Sequence, residues 1–155
     1  MPRRTAALAA LLAAALAAPA PARTLDAAVP DGIVAALRDL GYRAELSQDS
    51  DGDPKIDTGI EGLNYTILFY GCTGNADCAD IQFSAGFDLA KGTTEYRMND
   101  WNLRFIIGKA FIDAEGDPYL QMFLPGFRDV SRASFERILF RWGQGLADFK
   151  DHIDW

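Results

Sequence analysis

Residues 64–87 read NYTILFYGCTGNADCADIQFSAGF, which predicts two β-strands joined by a loop with Cys72 and Cys78 at its ends. If these cysteines face each other in an antiparallel pair, the register of the strands follows. It sets four apolar pairs opposite one another: Phe69 with Ile81, Ile67 with Phe83, Tyr65 with Ala85, and Leu63 with Phe87. The alternate pairs are Tyr70 with Asp80, Leu68 with Gln82, and Thr66 with Ser84. One register therefore gives an apolar face, a mixed face and a bridgeable cysteine pair.

Hairpins with acidic turns are predicted on both sides of this stretch. In residues 42–60, pairing Asp49 with Asp53 leaves a three-residue loop that ends in Gly52, where such loops need a left-handed residue. The turn of the second hairpin, residues 105–124, repeats this composition with Gly116. Alternation places Ile106, Gly108, Ala110 and Ile112 on one face with Leu120, Met122 and Leu124. It places Ile107, Lys109 and Phe111 on the other face with Tyr119, Gln121 and Phe123.

Three amphipathic segments are predicted to be helices: residues 30–41, residues 94–104, and a longer segment that begins after residue 131 and keeps an apolar stripe as far as residue 149. Gly143 and Gly145 are expected to weaken the second half of the last helix. Six strands and three helices in this order predict an α+β fold, an antiparallel sheet of about six strands with helices packed on it.

The first 22 residues, MPRRTAALAALLAAALAAPAPA, have the basic start, short apolar run and small-residue end of a secretory signal peptide. Cleavage is expected after Ala22 or, as the second choice, after Ala20, which leaves residues 23–155 as one domain. The apolar run is shorter than the ~20 residues that a membrane span needs, and no span is expected in the mature chain. We therefore expect a periplasmic or secreted protein, in a compartment where a disulfide persists.

The sequence offers little for catalysis. His152 is the only histidine, and the five residues between the cysteines do not form a redox C-x-x-C motif, so no triad, Cys–His pair or His/Cys metal site is predicted. The acidic turn departs from a calcium loop because Pro54 stands where that loop needs glycine. A formal charge of −7 argues against nucleic acid as a partner. We expect no enzyme activity, no cofactor and no bound metal.

The order of motifs in the mature chain resembles the YbjN family of bacterial proteins, described as sensory transduction regulators. The resemblance covers residues 25–149 and rests on three sequence features: Leu40-Gly41-Tyr42 after the first helix, Ile81-Gln82-Phe83-Ser84-Ala85-Gly86-Phe87 after the cysteine loop, and Met98-Asn99-Asp100-Trp101-Asn102. It implies a fold like that of type III secretion chaperones, often paired into dimers, that binds protein segments without a catalytic centre. The leader and the cysteine loop depart from the cytoplasmic members of the family.

Two groups of residues are candidates for function. The first lies on the mixed sheet face and would bind a protein partner or a second copy in a homodimer: Ile107, Phe111, Tyr119, Phe123, Leu68 and Tyr70. The alternative is that the short helix or the tail around Trp155 covers this row within the monomer. The second is the family motif Asn99, Trp101 and Asn102, for which a structural role in capping and core packing is favoured over recognition. The chain is thus expected to be an exported binding module, chaperone-like or regulatory; the alternative is a structural envelope protein that self-associates.

Overall fold

The computed structural model describes residues 24–155, and the predicted leader, residues 1–22, lies outside them. The elements in chain order are α1 (Pro30–Asp39), β1 (Ala44–Gln48), β2 (Pro54–Ile60), β3 (Leu63–Tyr70), β4 (Asp80–Gly86), α2 (Glu95–Arg104), β5 (Lys109–Ile112), β6 (Pro118–Leu124) and α3 (Arg132–Ile153). The strands form one antiparallel sheet in the order β1-β2-β3-β4-β6-β5. The predicted α+β class and the six strands are confirmed.

The central hairpin has the predicted register. Strands β3 and β4 set Phe69 opposite Ile81 and Ile67 opposite Phe83, and the polar pair Thr66–Ser84 lies between the apolar ones. Residues on the apolar side are buried and those on the other side are half-buried or exposed, so the pattern alternates along both strands. Local alternation was therefore enough to fix this part of the sheet.

The two acidic hairpins close with the same turn. In the first, the Asp49 carboxylate accepts hydrogen bonds from the backbone N–H groups of Asp51 (2.9 Å) and Asp53 (3.0 Å). Asp113 does the same for Glu115 and Asp117 at 3.0 and 2.9 Å. The glycine that ends each loop has φ +88° at Gly52 and +91° at Gly116, as the three-residue loop requires. The carboxylates of Asp49 and Asp113 therefore accept hydrogen bonds from the backbone of their own turns, rather than from a ligand.

Helix α1 ends where glycine was predicted to stop it. The N–H of Gly41 donates to the carbonyl of Arg38 and the N–H of Tyr42 to that of Leu37, the paired bonds of a Schellman motif. Ile33 and Leu37 on the inner side of the helix are fully buried. The cap thus turns the chain into β1 while the helix packs on the sheet.

One face of the sheet is covered by the helices and forms the core. Trp142 of α3 meets Tyr65 and Phe83 edge-on at ring-centroid distances of 5.7 and 5.6 Å. Phe149, about two turns further along α3, meets Trp101 of α2 at 5.0 Å. All five rings are buried. The opposite face of the sheet, which we call the open face, carries the alternate residues of each strand.

The glycines of α3 bring the helix close to the sheet. The helix runs unbroken for 22 residues to Ile153, through Gly143 and Gly145 in the half that these glycines were expected to weaken. A Cβ at Gly143 would lie 2.9 Å from Cδ1 of Ile60, and one at Gly145 would collide with Cγ2 of Ile107. The two glycines therefore serve close packing, which offsets their low helix propensity.

The start of β5 corrects the sequence-based assignment of two side chains. Ile106 was expected in the core but is 97% exposed, and Ile107 was expected on the mixed face but packs against Gly145 of α3 on the helix side. Gly108 adopts φ +74°, which interrupts the alternation, and the strand begins only at Lys109. Ile107 therefore does not belong to the open face.

The C-terminal residues, which sequence reasoning could not place, also lie on the helix side. His152 is within α3, and its Nε2 donates to the carbonyl of Arg97 at 2.8 Å. The Trp155 ring packs edge-on against Phe87 at 5.3 Å, and its Nε1 donates to the carbonyl of Asp88 at 3.2 Å. Phe87 in turn contacts Phe149, so the tail extends the core.

Candidate protein-binding face

The register of the sheet defines the composition of the open face. One row across it joins Lys55, Leu68, Gln82 and Phe123 on successive strands. The next row joins Asp57, Thr66, Ser84, Gln121 and Lys109, and the third joins Gly86, Tyr119 and Phe111. Tyr70 and Asp80 form a fourth pair at the end of the central hairpin. Two rows that each contain two large apolar or aromatic side chains thus lie on either side of a polar row.

Aromatic residues form two pairs on this face. The ring of Tyr70 meets that of Phe123 edge-on at 6.2 Å, and the ring of Phe111 stacks on that of Tyr119 at 5.4 Å. Phe123, at the end of its row, is 52% exposed. The ammonium of Lys109 lies 5.3 Å from the centre of the Phe111 ring. A half-exposed aromatic pair at each end is the composition of an interface rather than of a solvated face.

The polar row between the aromatic pairs is internally hydrogen-bonded. Thr66 Oγ1 donates to the Asp57 carboxylate at 3.0 Å, and the Lys55 ammonium lies 3.4 Å from the same carboxylate. Gln121 Nε2 donates to Ser84 Oγ at 3.2 Å. These groups are held in place by one another, so a partner would meet a preorganised strip of donors and acceptors.

A shallow cleft of about 610 Å³ crosses the middle of the open face, with Thr66, Leu68 and Ser84 among its lining residues. Its far end is shaped by Gly86, where a Cβ would lie 2.6 Å from the Tyr119 ring. The aromatic ring lies directly over the glycine backbone, an arrangement that covers a strand glycine with aromatic area. The cleft therefore lies mainly over β2, β3 and β4, with Tyr119 at its edge.

The pKa of one tyrosine on this face is raised by its surroundings. Partial burial raises the pKa of the Tyr70 phenol, and the nearby Asp49 carboxylate raises it further. The phenol is therefore a neutral hydrogen-bond donor near neutral pH, next to the exposed ring of Phe123.

The structure brings together five of the six residues that the sequence nominated for binding. Leu68, Tyr70, Phe111, Tyr119 and Phe123 share the open face. The sequence did not reveal that Leu68 and Phe123 belong to one row, because the pairing of β4 with β6 joins segments about forty residues apart. No local signal specifies that pairing.

The family motif lies on the helix side of the molecule. Trp101 is fully buried, stacks on Phe105 at 4.0 Å, and its indole N–H has no hydrogen-bond partner among residues 24–155. The Asn102 amide binds the backbone of Ala110 in β5, donating at 3.0 Å and accepting at 2.8 Å. Asn99 is exposed on the same helix. These contacts join α2 to the core and to the edge of the sheet.

The cysteine loop is tied to its surroundings at several points. Cys72 and Cys78 form a disulfide, and Cys78 is fully buried. The side-chain amide of Asn75 donates to Asp51 and Asp53 of the first acidic turn at 3.0 and 2.9 Å. The Arg128 guanidinium pairs with Asp77 of the loop at 3.1 Å and with Asp26 at 3.3 Å. The loop thus connects the first hairpin with the N-terminal segment.

The molecule is thus a sheet covered by helices on one side, with exposed aromatic residues and a shallow cleft on the other. The family model YbjN, described as "Putative bacterial sensory transduction regulator", matches residues 30–155. The chain therefore belongs to the YbjN family. No curated protein matches it in sequence. Membership is compatible with a regulatory or binding role, and YbjN is not a known enzyme family.

None of the helices between residues 24 and 155 has the length together with the apolarity that crossing a membrane requires. Within the same residues, His, Cys, Asp and Glu side chains nowhere gather in a group of three that could hold a metal ion. The Cys72–Cys78 disulfide is a bond typical of compartments outside the cytoplasm.

Proposed function

We propose that this protein is an exported, non-enzymatic binding module that holds an extended segment of another protein on its open face. The observation that carries the proposal is the exposed Phe123, which lies beside Tyr70 on the open face, next to a polar row whose groups already have fixed partners. Partner side chains would pack on the two aromatic pairs, while the polar row would meet the backbone between them. Aromatic anchors of this kind carry most of the free energy in many interfaces.

Export is the second part of the proposal. It is supported by the sequence pattern of residues 1–22 and by the disulfide, which an oxidising compartment would maintain. The partner would then be a protein of the periplasm or the extracellular medium. A regulatory role, as the family description has it, would follow from holding or releasing such a segment.

The test is affinity purification from the envelope of the native host with three tagged chains: wild type, Phe123→Lys and Tyr96→Lys. Tyr96 is a matched control because it is an aromatic residue, 80% exposed, on α2. The proposal expects a specific partner with the wild type and with Tyr96→Lys, and its loss with Phe123→Lys at unchanged thermal stability.

Native mass measurement of the same three chains separates the alternative. A homodimer that disappears in Phe123→Lys, without any foreign partner, would show a self-associating envelope protein and overturn the binding module. A partner retained in full by Phe123→Lys would place the binding site elsewhere.

A further inference from the structure

A second concave surface lies on the helix side, opposite the open face. We call it the α3 groove; it has a volume of about 400 Å³ and runs between α3 and the segments that precede β1 and follow β2. One wall is formed by Leu40, Tyr42 and Ile60, and the other by Leu139, Phe140 and Gly143. A volume of this size is within the range of about 300–1,000 Å³ that ligand sites show.

The floor of the groove is formed by apolar residues at the point where α3 approaches the sheet closely. A Cβ at Gly143 would lie 2.9 Å from Cδ1 of Ile60, so no side chain of α3 fills the space above this contact. Leu139 and Ile60 are buried beneath it. Phe140 lies at the rim and is 60% exposed, so more than half of its apolar surface remains in contact with water. The groove thus presents an apolar floor beside an exposed aromatic.

The charged residues that line the groove are all acidic. Glu61, Glu136 and Asp148 line it with exposed carboxylates, and no lysine or arginine is among the lining residues. Within residues 24–155, none of the three carboxylates forms an ion pair. Arg141 is a cation beside the groove: its guanidinium lies 5.9 Å from the centre of the Phe140 ring and donates a 3.1 Å hydrogen bond to Gln144.

We infer that the α3 groove binds a short protein segment in which an apolar side chain is flanked by lysine or arginine. The apolar side chain would rest on the floor, above the contact of Ile60 with Gly143, and pack on Phe140. The flanking cations would pair with the carboxylates of Glu61, Glu136 and Asp148. Charge complementarity of this kind selects the partner and speeds its association. The protein therefore has two binding surfaces, one on each side of the sheet.

The experiment is fluorescence anisotropy on residues 23–155, the mature chain, with a fluorescein-labelled peptide of alternating leucine and lysine. Two further peptides replace all lysines by glutamate or all leucines by serine. The leucine–lysine peptide is expected to bind, and each replacement is expected to weaken binding at least tenfold, a loss of about 1.4 kcal/mol per tenfold step.

Variants of the protein locate the site. Reversing two rim charges, Glu136→Lys with Asp148→Lys, is expected to weaken binding of the leucine–lysine peptide roughly tenfold or more, and Phe140→Ser is expected to do likewise. The control Asp51→Lys with Glu115→Lys makes the same charge change at two exposed hairpin turns and is expected to leave binding within about twofold.

Three results would overturn the inference. In the first, the charge reversals at the groove and at the turns weaken peptide binding equally, which would show that the peptide is attracted only by the net charge of the protein. The second is equal binding of the serine–lysine peptide, which would show that the apolar floor is not used. The third is the absence of binding by the leucine–lysine peptide.

Discussion

The side-chain amide of Asn102 exchanges two hydrogen bonds with the backbone of Ala110, donating to its carbonyl and accepting from its N–H. Ala110 belongs to β5, the last strand of the sheet, so the amide occupies backbone groups on the edge that another strand could pair with. A helix side chain thus covers the edge, one of the ways in which proteins prevent edge-to-edge association.

Asn102→Ala is therefore expected to lower the free energy of unfolding by roughly 1–3 kcal/mol, because it leaves two groups of a buried backbone unpaired. Asn99→Ala is the matched control: it lies in the same motif on the same helix, it is exposed, and its substitution is expected to change stability by less than about 0.5 kcal/mol. Urea denaturation of both variants measures the difference. Equal losses would show that the two amides are not distinguished by these contacts.

Gly145→Ala is expected to destabilise the protein by about 1–3 kcal/mol, although alanine is the better helix former, because the new Cβ collides with Ile107. Gly32→Ala in α1 is the control, since a Cβ there meets only one atom, at 4.0 Å, and a gain of up to about 1 kcal/mol is expected. Thermal unfolding measures both variants.

The double variant Gly145→Ala with Ile107→Ala tests whether the collision is the cause. Its loss of stability is expected to be smaller than the sum of the two single losses, since the colliding methyl groups are gone. Additive losses would assign the effect of Gly145 to something other than Ile107.

Removal of the disulfide by Cys72→Ala with Cys78→Ala is expected to lower the free energy of unfolding by about 2 kcal/mol and to leave the fold intact, because the bond closes a small loop. The loop keeps its other anchors at Asn75 and Asp77. Guanidinium denaturation and the circular dichroism spectrum measure the two effects. Free thiols in the oxidised wild-type protein, or an unfolded double variant, would contradict this expectation.

Tyr65 gives the protein a pH dependence on the alkaline side. Burial raises the pKa of its phenol, while a hydrogen bond with the Thr58 side chain opposes that shift in part. Since the folded-state pKa lies above the value of about 10 for an exposed tyrosine, the stabilisation is complete below about pH 10 and is lost as the pH rises toward the folded-state value.

The free energy of unfolding is therefore expected to fall between about pH 9.5 and 11.5, and Tyr65→Phe is expected to reduce the slope of that fall. Tyr96→Phe, which removes an exposed hydroxyl, serves as the control. Urea denaturation at steps of pH measures the slopes. A slope that is the same in Tyr65→Phe and in the wild type would assign the loss to other groups.

The sequence was sufficient where the structure depends on neighbours in the chain. The register from Phe69–Ile81 to Thr66–Ser84 and the turns at Gly52 and Gly116 follow from alternation and loop chemistry within short segments. The sequence did not predict the side of the sheet on which Ile107 lies, because the left-handed conformation of Gly108 interrupts the alternation of side chains. A period-two sequence pattern does not reveal such a break, because glycine is compatible with both backbone conformations.

The binding surfaces depend on pairings between distant segments. Leu68 and Phe123 share a row only because β6 lies beside β4, and the α3 groove is assembled from α1, β2 and α3. Composition identified the aromatic residues of the open face, but their arrangement around a polar row is a property of strand order. The groove had no counterpart in the sequence because its apolar residues read as ordinary core positions of a helix.

The central claim, that the open face holds a segment of another protein, is tested most directly by photo-crosslinking in the native host. A benzophenone amino acid is introduced at position 123, and at position 96 as the control, and the cells are irradiated before the envelope is extracted. The account predicts a crosslinked heterodimer from position 123 that position 96 does not give. A crosslink of the chain only to itself at position 123, or the same products from both positions, would contradict it.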